Sequence, residues 1–329
     1  MNQMSAKSDA SSEKAFDRHA VGPALPFSRI LVVVDPTADS HPCIEKAARI
    51  ALTCRSEIEL YLCYFDQEGE PEIPDRGLAR AVRHDEFLEK LDRLAMPLRA
   101  RGLEVKVKCE RHSSPEQSIG YHVLRTRPDL VVKGTHRQPL SASEPTMFTD
   151  WILLRQIPVP LLLVRPNPWP ESPRITVSTD PCHPAERPVT LDQSMLSAGC
   201  QLGEALHGEL DVLHVLQPPP HLPGDAVTSA AKRCKHAAAR DEVERVVADG
   251  NVRCIRRPIH FVEGHVAESV IEFVERDRTD ILIMGAAARS RWLNAAGSGT
   301  AAQILERMSC DLLLIKPAGF ISPLLITDD

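Results

Sequence analysis

Residues 280–317 read DILIMGAAARSRWLNAAGSGTAAQILERMSCDLLLIKP. Ile281–Met284 is a short run with no polar residue, the pattern of a parallel strand buried on both faces. Gly285 ends it at the carboxyl end, where open α/β sheets place their ligands. A loop of small residues follows, and Gly297-Ser298-Gly299-Thr300 opens a predicted helix. Backbone N–H groups at such a helix start, with little side chain in the way, form a ready anion site. Leu312–Ile315 is a second buried strand.

The same unit recurs upstream. The pairs Asp129/Asp280, Gly134/Gly285, Thr149/Thr300 and Pro166/Pro317 are each 151 residues apart. Ile30–Val34 runs into Asp35-Pro36, and Ile175–Thr179 runs into Asp180-Pro181. These two aspartates are 145 apart, so the halves differ by a few loop residues. Between the copies lies Arg165-Pro166-Asn167-Pro168-Trp169-Pro170-Glu171-Ser172-Pro173, whose alternating prolines read as a stiff, extended linker. The chain of 329 residues therefore divides into a leader at 1–26, a first domain at 27–166, a linker at 167–173, a second domain at 174–318 and a tail at 319–329. The leader is polar, lacks the apolar segment of a secretory signal, and is expected to be disordered.

Alternation of strands and helices in each half predicts an α/β fold, with a five-stranded parallel sheet and right-handed crossovers per domain. Two separate sheets are expected, and one continuous sheet, or halves that do not superimpose, would end the argument for duplication. In the first helix, Ile44, Ala47, Ala48, Ala51 and Leu52 mark one buried face, with Ser40 as the expected N-cap and Pro42 in the first turn. Pro97 predicts a kink or an early end in the long second helix, and Gly102 a stop after it.

Composition narrows the function. A net charge of -6 leaves no basic excess to displace counterions from nucleic acid, and 4% aromatic content leaves few stacking platforms. No apolar run is long enough to span a membrane. Nine cysteines, an odd number without a CxxC, predict reduced thiols and a cytosolic setting. Cys182-His183 and Cys234-Lys235-His236 lack a second ligand pair at metal spacing, so no metal site is predicted.

The stretches ILVVVDP, DLVVKGTHR, FTDWILLRQIPVPLLLVRP, NPWPE, GHVAESVIEFV and CDLLLIKP resemble the universal stress protein family, in its tandem E-type form. The resemblance covers nearly everything from Phe27 to Phe320. It implies two Rossmann-like domains of strand order 3-2-1-4-5, a cytoplasmic stress-response role and no catalysis. It also implies association through the fifth strands. Leu161–Val164 would then pair with Leu312–Ile315 in an intramolecular pseudo-dimer, a form of self-association.

That order sets strands one and four side by side at the switch point, bringing Asp180 near Gly285 and Gly297–Thr300. Asp35 and Gly134 form the equivalent crevice in the first domain. ATP-binding members carry G-x-x-G, nine residues, then G-S or G-T. Here Gly285 fills the first place, Ala288 the second, and Ser298 the third, between Gly297 and Gly299, with Thr300 one place late. The Cβ of Ala288 narrows the approach of backbone to phosphate. In the first domain the matching places fall on Arg137 and Met147, with Glu144 and Pro145 between. No cofactor is predicted. ATP in the second domain is the alternative, as is a small anionic or apolar ligand. Asp35 reads better as a turn cap, whereas Asp180 reads equally as cap or ligand. Trp151 and Trp292 read as packing residues. An enzyme is disfavoured, because neither loop after a first strand supplies glycines and no G-x-S-x-G, H-E-x-x-H or Walker A sequence occurs.

Overall fold

The computed structural model of the chain describes residues 27–65, 76–135, 146–182, 189–217, 225–249, 255–286 and 300–325. The first half runs β1 (Arg29–Val33), α1 (Pro42–Cys54), β2 (Glu57–Tyr64), α2 (Arg76–Ala100), β3 (Val105–Arg111), α3 (Pro115–Thr126), β4 (Leu130–Gly134), α4 (Thr146–Gln156) and β5 (Leu161–Val164). The second runs β6 (Arg174–Ser178), α5 (Val189–Leu206), β7 (Glu209–Leu216), α6 (Asp225–Asp249), β8 (Ile255–Glu263), α7 (Val266–Asp277), β9 (Ile281–Gly285), α8 (Thr300–Arg307) and β10 (Asp311–Ile315).

The strands form one sheet in the order β3-β2-β1-β4-β5-β10-β9-β6-β7-β8. Each half keeps the order 3-2-1-4-5, and every neighbouring pair within a half is parallel. The sheet is thus continuous, not two separate sheets; this overturns the expectation that a continuous sheet excludes duplication, because both halves repeat the same strand order and are joined only through their fifth strands. The reason is local: β5 and β10 meet antiparallel, with Leu312 opposite Leu163, Leu313 opposite Leu162 and Leu314 opposite Leu161. An all-leucine edge left open would be a template for aggregation. Here all six leucines are at most 3% exposed, and burying each contributes on the order of 1.5–3 kcal/mol.

Helices cover both faces of the sheet. α1, α2, α5 and α6 pack on one face, around Ile30, Val32, Ile175 and Val177. α3, α4, α7 and α8 pack on the other, around Leu31, Val131, Leu282 and Met284. Alternate residues of the same strand serve opposite faces, which is why these strands carry no polar alternation.

The duplication is also written in polar detail. Arg29 N donates to Asp129 Oδ2 at 2.9 Å, and Arg174 N donates to Asp280 Oδ2 at 2.8 Å. Each pair ties the start of a domain's first strand to the residue before its fourth. Helix C-caps in the left-handed region fall at Arg127 and Arg278, again 151 apart.

Four local expectations change. Leu52, expected on the buried face of α1, is 43% exposed. The α1 N-cap is His41, with no side-chain bond, in place of Ser40; Pro42 at the first position needs no N–H partner. α2 passes through Pro97 to Ala100, because the proline sits in the last turn and only one hydrogen bond is lost before the helix ends. Gly102 follows at φ +84°, the stop expected of it. Finally, the proline-rich linker is anchored. Trp169 is 8% exposed, and Arg49 donates to the carbonyls of Trp169, Pro170 and Glu171 at 3.0–3.1 Å. Among the described residues no helix is long and apolar enough to cross a membrane. The leader at 1–26 lies outside the described residues.

Candidate functional site

In the second domain the crevice opens at the carboxyl ends of β6 and β9. Ser178, Thr179, Asp180 and Gln217 make its polar rim, and Val266, Val270, Met284 and Ile304 its apolar wall. The segment after β6 is held from both sides. Thr179 N donates to Leu213 O at 2.9 Å, while Asp180 N donates to Asp192 Oδ1 at 3.0 Å from the first turn of α5. His214, on the neighbouring strand β7 and 3% exposed, places Nδ1 2.9 Å from the Thr179 carbonyl. A carbonyl can only accept, so Nδ1 carries the hydrogen. Gly285 ends β9 opposite Ile315, and Ala286 N donates to Ile315 O at 2.7 Å.

Of the residues predicted for this crevice, Asp180 and Gly285 stand at its two strand ends, and Thr300 opens α8. Ala288, Gly297, Ser298 and Gly299 lie outside the described residues, as does Trp292.

The first domain is built differently at the same place. Asp35 Oδ1 accepts from Thr37 N at 2.8 Å and Thr37 Oγ1 at 2.7 Å, a self-capped turn of the kind aspartate favours. At the end of β4, Lys133 Nζ lies 2.7 Å from Asp150 Oδ1 and 3.1 Å from Gly134 O. Thr135 Oγ1 donates to Asp150 Oδ2 at 2.5 Å. Asp150, one turn into α4, is 1% exposed. A carboxylate from the chain itself thus lies against the end of the fourth strand. The residues 151 places on are Met284, Ala286 and Ala301, so the second domain has no counterpart of this polar set. Arg137 and Glu144 lie outside the described residues, and Trp151 is half-buried in packing, as expected.

The thiols near these sites are not activated. Burial pushes Cys43 up to about 11, and burial with the charge of Asp180, Glu242 and Asp192 does the same for Cys182. Seven of the described cysteines are free, but Cys200 is disulfide-bonded, an exception to the expectation of reduced thiols throughout.

Sequence reasoning missed the Lys133–Asp150 pair, since a lysine near a strand end is ordinarily solvent-facing. It also missed His214, which reads as one polar residue inside an apolar strand. The only available signal was Asp150 beside Thr149 in FTDW, in the first-domain segment that corresponds to the start of α8.

Two doubly wound α/β units in tandem, each with its first and fourth strands side by side, define a duplicated Rossmann-like fold. The chain belongs to the universal stress protein family: the family's model matches residues 26–165 and 188–316. It is similar to Universal stress protein E of Salmonella typhi, 26% identical over 322 residues, covering 92% of this chain and 98% of that protein. It is similar also to the Universal stress protein E homolog of Haemophilus influenzae, 25% identical over 315 residues, covering 89% and 99%. Among solved structures, a functionally unknown protein from Pseudomonas aeruginosa PAO1 matches with TM-score 0.67 at 20% identity, covering 89% of this chain and 94% of that one. A universal stress protein from Archaeoglobus fulgidus matches with TM-score 0.65 at 14% identity, covering 91% and 99%. At these identities the two structures speak for the fold alone.

Proposed function

We propose that this chain is a cytoplasmic, non-catalytic stress-response protein of the two-domain E type, whose nucleotide crevices have lost their phosphate grip. The observation that carries the reading is Asp150. A buried carboxylate paired with Lys133 in the first domain repels a phosphate and already supplies the anion that Lys133 and Thr135 hold. In the second domain, Ala288 in place of glycine supports the same reading. The names of the full-length relatives support the stress-response role.

A second reading keeps a nucleotide in the second domain. The polar rim around Asp180, over an apolar wall, favours it. Equilibrium dialysis with ATP separates the two. The proposal expects no uptake below the millimolar range, and no difference between the wild type and Gly285→Val. Tight uptake lost in Gly285→Val would replace the first reading with the second, and phosphate release during the incubation would point to an ATPase. In cells lacking the chain, Gly285→Val should restore survival under stress as well as the wild type does.

A further inference from the structure

The loop after β6 brings three side chains of metal-binding type together. One carboxylate oxygen of Asp180, the Cys182 thiol and one ring nitrogen of His214 all lie within 4.8 Å of one another. We propose that Asp180, Cys182 and His214 bind a divalent transition metal ion of zinc type. The inference goes beyond the proposed function and does not rest on it.

The donor set selects the ion. One sulfur, one imidazole and one carboxylate suit a borderline-soft ion that accepts tetrahedral geometry, and suit Mg²⁺ or Ca²⁺ poorly. Tetrahedral zinc bonds of about 2.0–2.3 Å place ligand atoms about 3.3–3.8 Å apart, so the three groups need to close by about 1.5 Å at most. Cys182 and Asp180 are half-buried on a short loop and can make that movement, whereas His214 is held on a strand.

The surroundings match those of a ligating histidine. His214 donates Nδ1–H to the Thr179 carbonyl, the outer contact that fixes ring orientation in metal sites. Nε2 of the neutral ring then carries the lone pair that a metal ion needs. The charge is right as well. Asp180, Glu242 and Asp192 place negative potential at Cys182, with Lys235 acting against them. Binding would break the Cys182 S–H bond, release its proton to solvent and form a metal–sulfur bond, with no electron transferred.

The test uses the full chain and Co²⁺ as a spectroscopic probe. The wild type is expected to take up one Co²⁺ with a near-ultraviolet thiolate charge-transfer band and tetrahedral visible bands, both removed by stoichiometric Zn²⁺. Cys182→Ser should lose the charge-transfer band and bind at least about 100-fold more weakly, and Asp180→Asn should keep the band with weaker binding. Cys182 is half-buried and outside the core; an unchanged melting point of the metal-free Cys182→Ser variant guards against misfolding. A wild type without a thiolate band at stoichiometric Co²⁺ would overturn the proposal. So would a band that survives in Cys182→Ser, since it would belong to another cysteine.

Discussion

Lys46 of the first domain lies 2.6 Å from Asp311 Oδ2 of the second, and both side chains are at least 96% buried. Asp311 also accepts from Arg165 N at 2.7 Å and from the Trp169 indole at 2.8 Å, while Lys46 donates to Arg165 O at 2.9 Å. The Trp169 ring centroid is 5.1 Å from Lys46 Nζ. Helix, linker and last strand are therefore joined at one buried point. Burial pushes the Asp311 carboxyl up and the Lys46 ammonium down, each against the attraction of the other. Such a pair adds little net stability but is costly to break.

Breaking it should be asymmetric. Asp311→Ala leaves a buried ammonium, an indole N–H and a backbone N–H without their acceptor, and is expected to cost about 3–5 kcal/mol. Lys46→Met leaves a carboxylate that still accepts two hydrogen bonds, and should cost less. Urea unfolding of both variants measures this. The position 151 residues before Asp311 is Pro160, so no symmetric contact takes over. Equal losses for the two variants would show that the ion pair, not the hydrogen bonds to Asp311, fixes the junction.

The first-domain pair makes a different prediction. Asp150→Ala strands Lys133, whose side chain is 12% exposed, and Thr135. The variant should lose about 3–5 kcal/mol. It should then regain part of that loss in sulfate or phosphate beyond the general effect of those salts on the wild type, because an anion can enter the vacated place. Melting curves of both proteins against sulfate concentration read the difference. Parallel curves would mean that Asp150 is a packing residue and not an internal stand-in for phosphate.

Lys316, just after β10, gives a pH signature. Burial, with a smaller contribution from Arg155, lowers its pKa from 10.5 to about 8. Among the described residues its Nζ has no hydrogen-bond partner, only the Phe320 ring 4.4 Å away. In the unfolded chain the ammonium keeps its proton to about pH 10.5, so the native state binds fewer protons between pH 8 and that value. The destabilisation is therefore full below pH 8 and fades as pH rises to about 10.5. Lys316→Met should stabilise by about 1–3 kcal/mol at pH 7, after subtracting the cation–π attraction to the ring, and the gain should disappear by about pH 10.5. A gain that does not change with pH would assign the effect to packing.

The legible part of this molecule was its repetition. Apolar strand runs, turn glycines and the 151-residue offset carry the elements and both domains, because each depends on short stretches read locally, whereas the strand order came only with the resemblance to the family. The leucines of β5 and β10 were legible as edges that would pair with each other, although the continuous sheet that this pairing makes was not expected. Lys46 and Asp311 were invisible for a physical reason. They are 265 residues apart, and each alone looks like a solvent-facing charge next to an apolar face. Trp169 looked like part of a spacer because its neighbours are prolines. In the crevice, Asp180 and Gly285 follow from the fold, but the nearness of Cys182 to His214 needs the loop geometry, which no spacing encodes.

The end of the chain straps one domain to the other, and a glycine permits it. Leu324 is 4% exposed in a short 3-10 turn (Pro323–Leu325) that packs on α3 and α4 of the first domain. A Cβ built on Gly120 would stand 2.3 Å from Leu324 Cδ1 and 3.4 Å from Gln156 Oε1. Gly120→Ala should raise intrinsic helix propensity in α3, by up to about 1 kcal/mol, yet expel Leu324 from its seat. Burial of that leucine side chain is worth about 1.5–3 kcal/mol, so displacement should win and the variant should be less stable. Combining it with Leu324→Ala distinguishes the two effects. Once the leucine is gone the added methyl keeps only an ordinary contact with Gln156 Oε1, and Gly120→Ala in that background should become neutral or stabilising. Limited proteolysis adds a direct reading, since Gly120→Ala should expose the last residues to cleavage. A double variant whose losses simply add would mean that Gly120 and Leu324 do not share a seat.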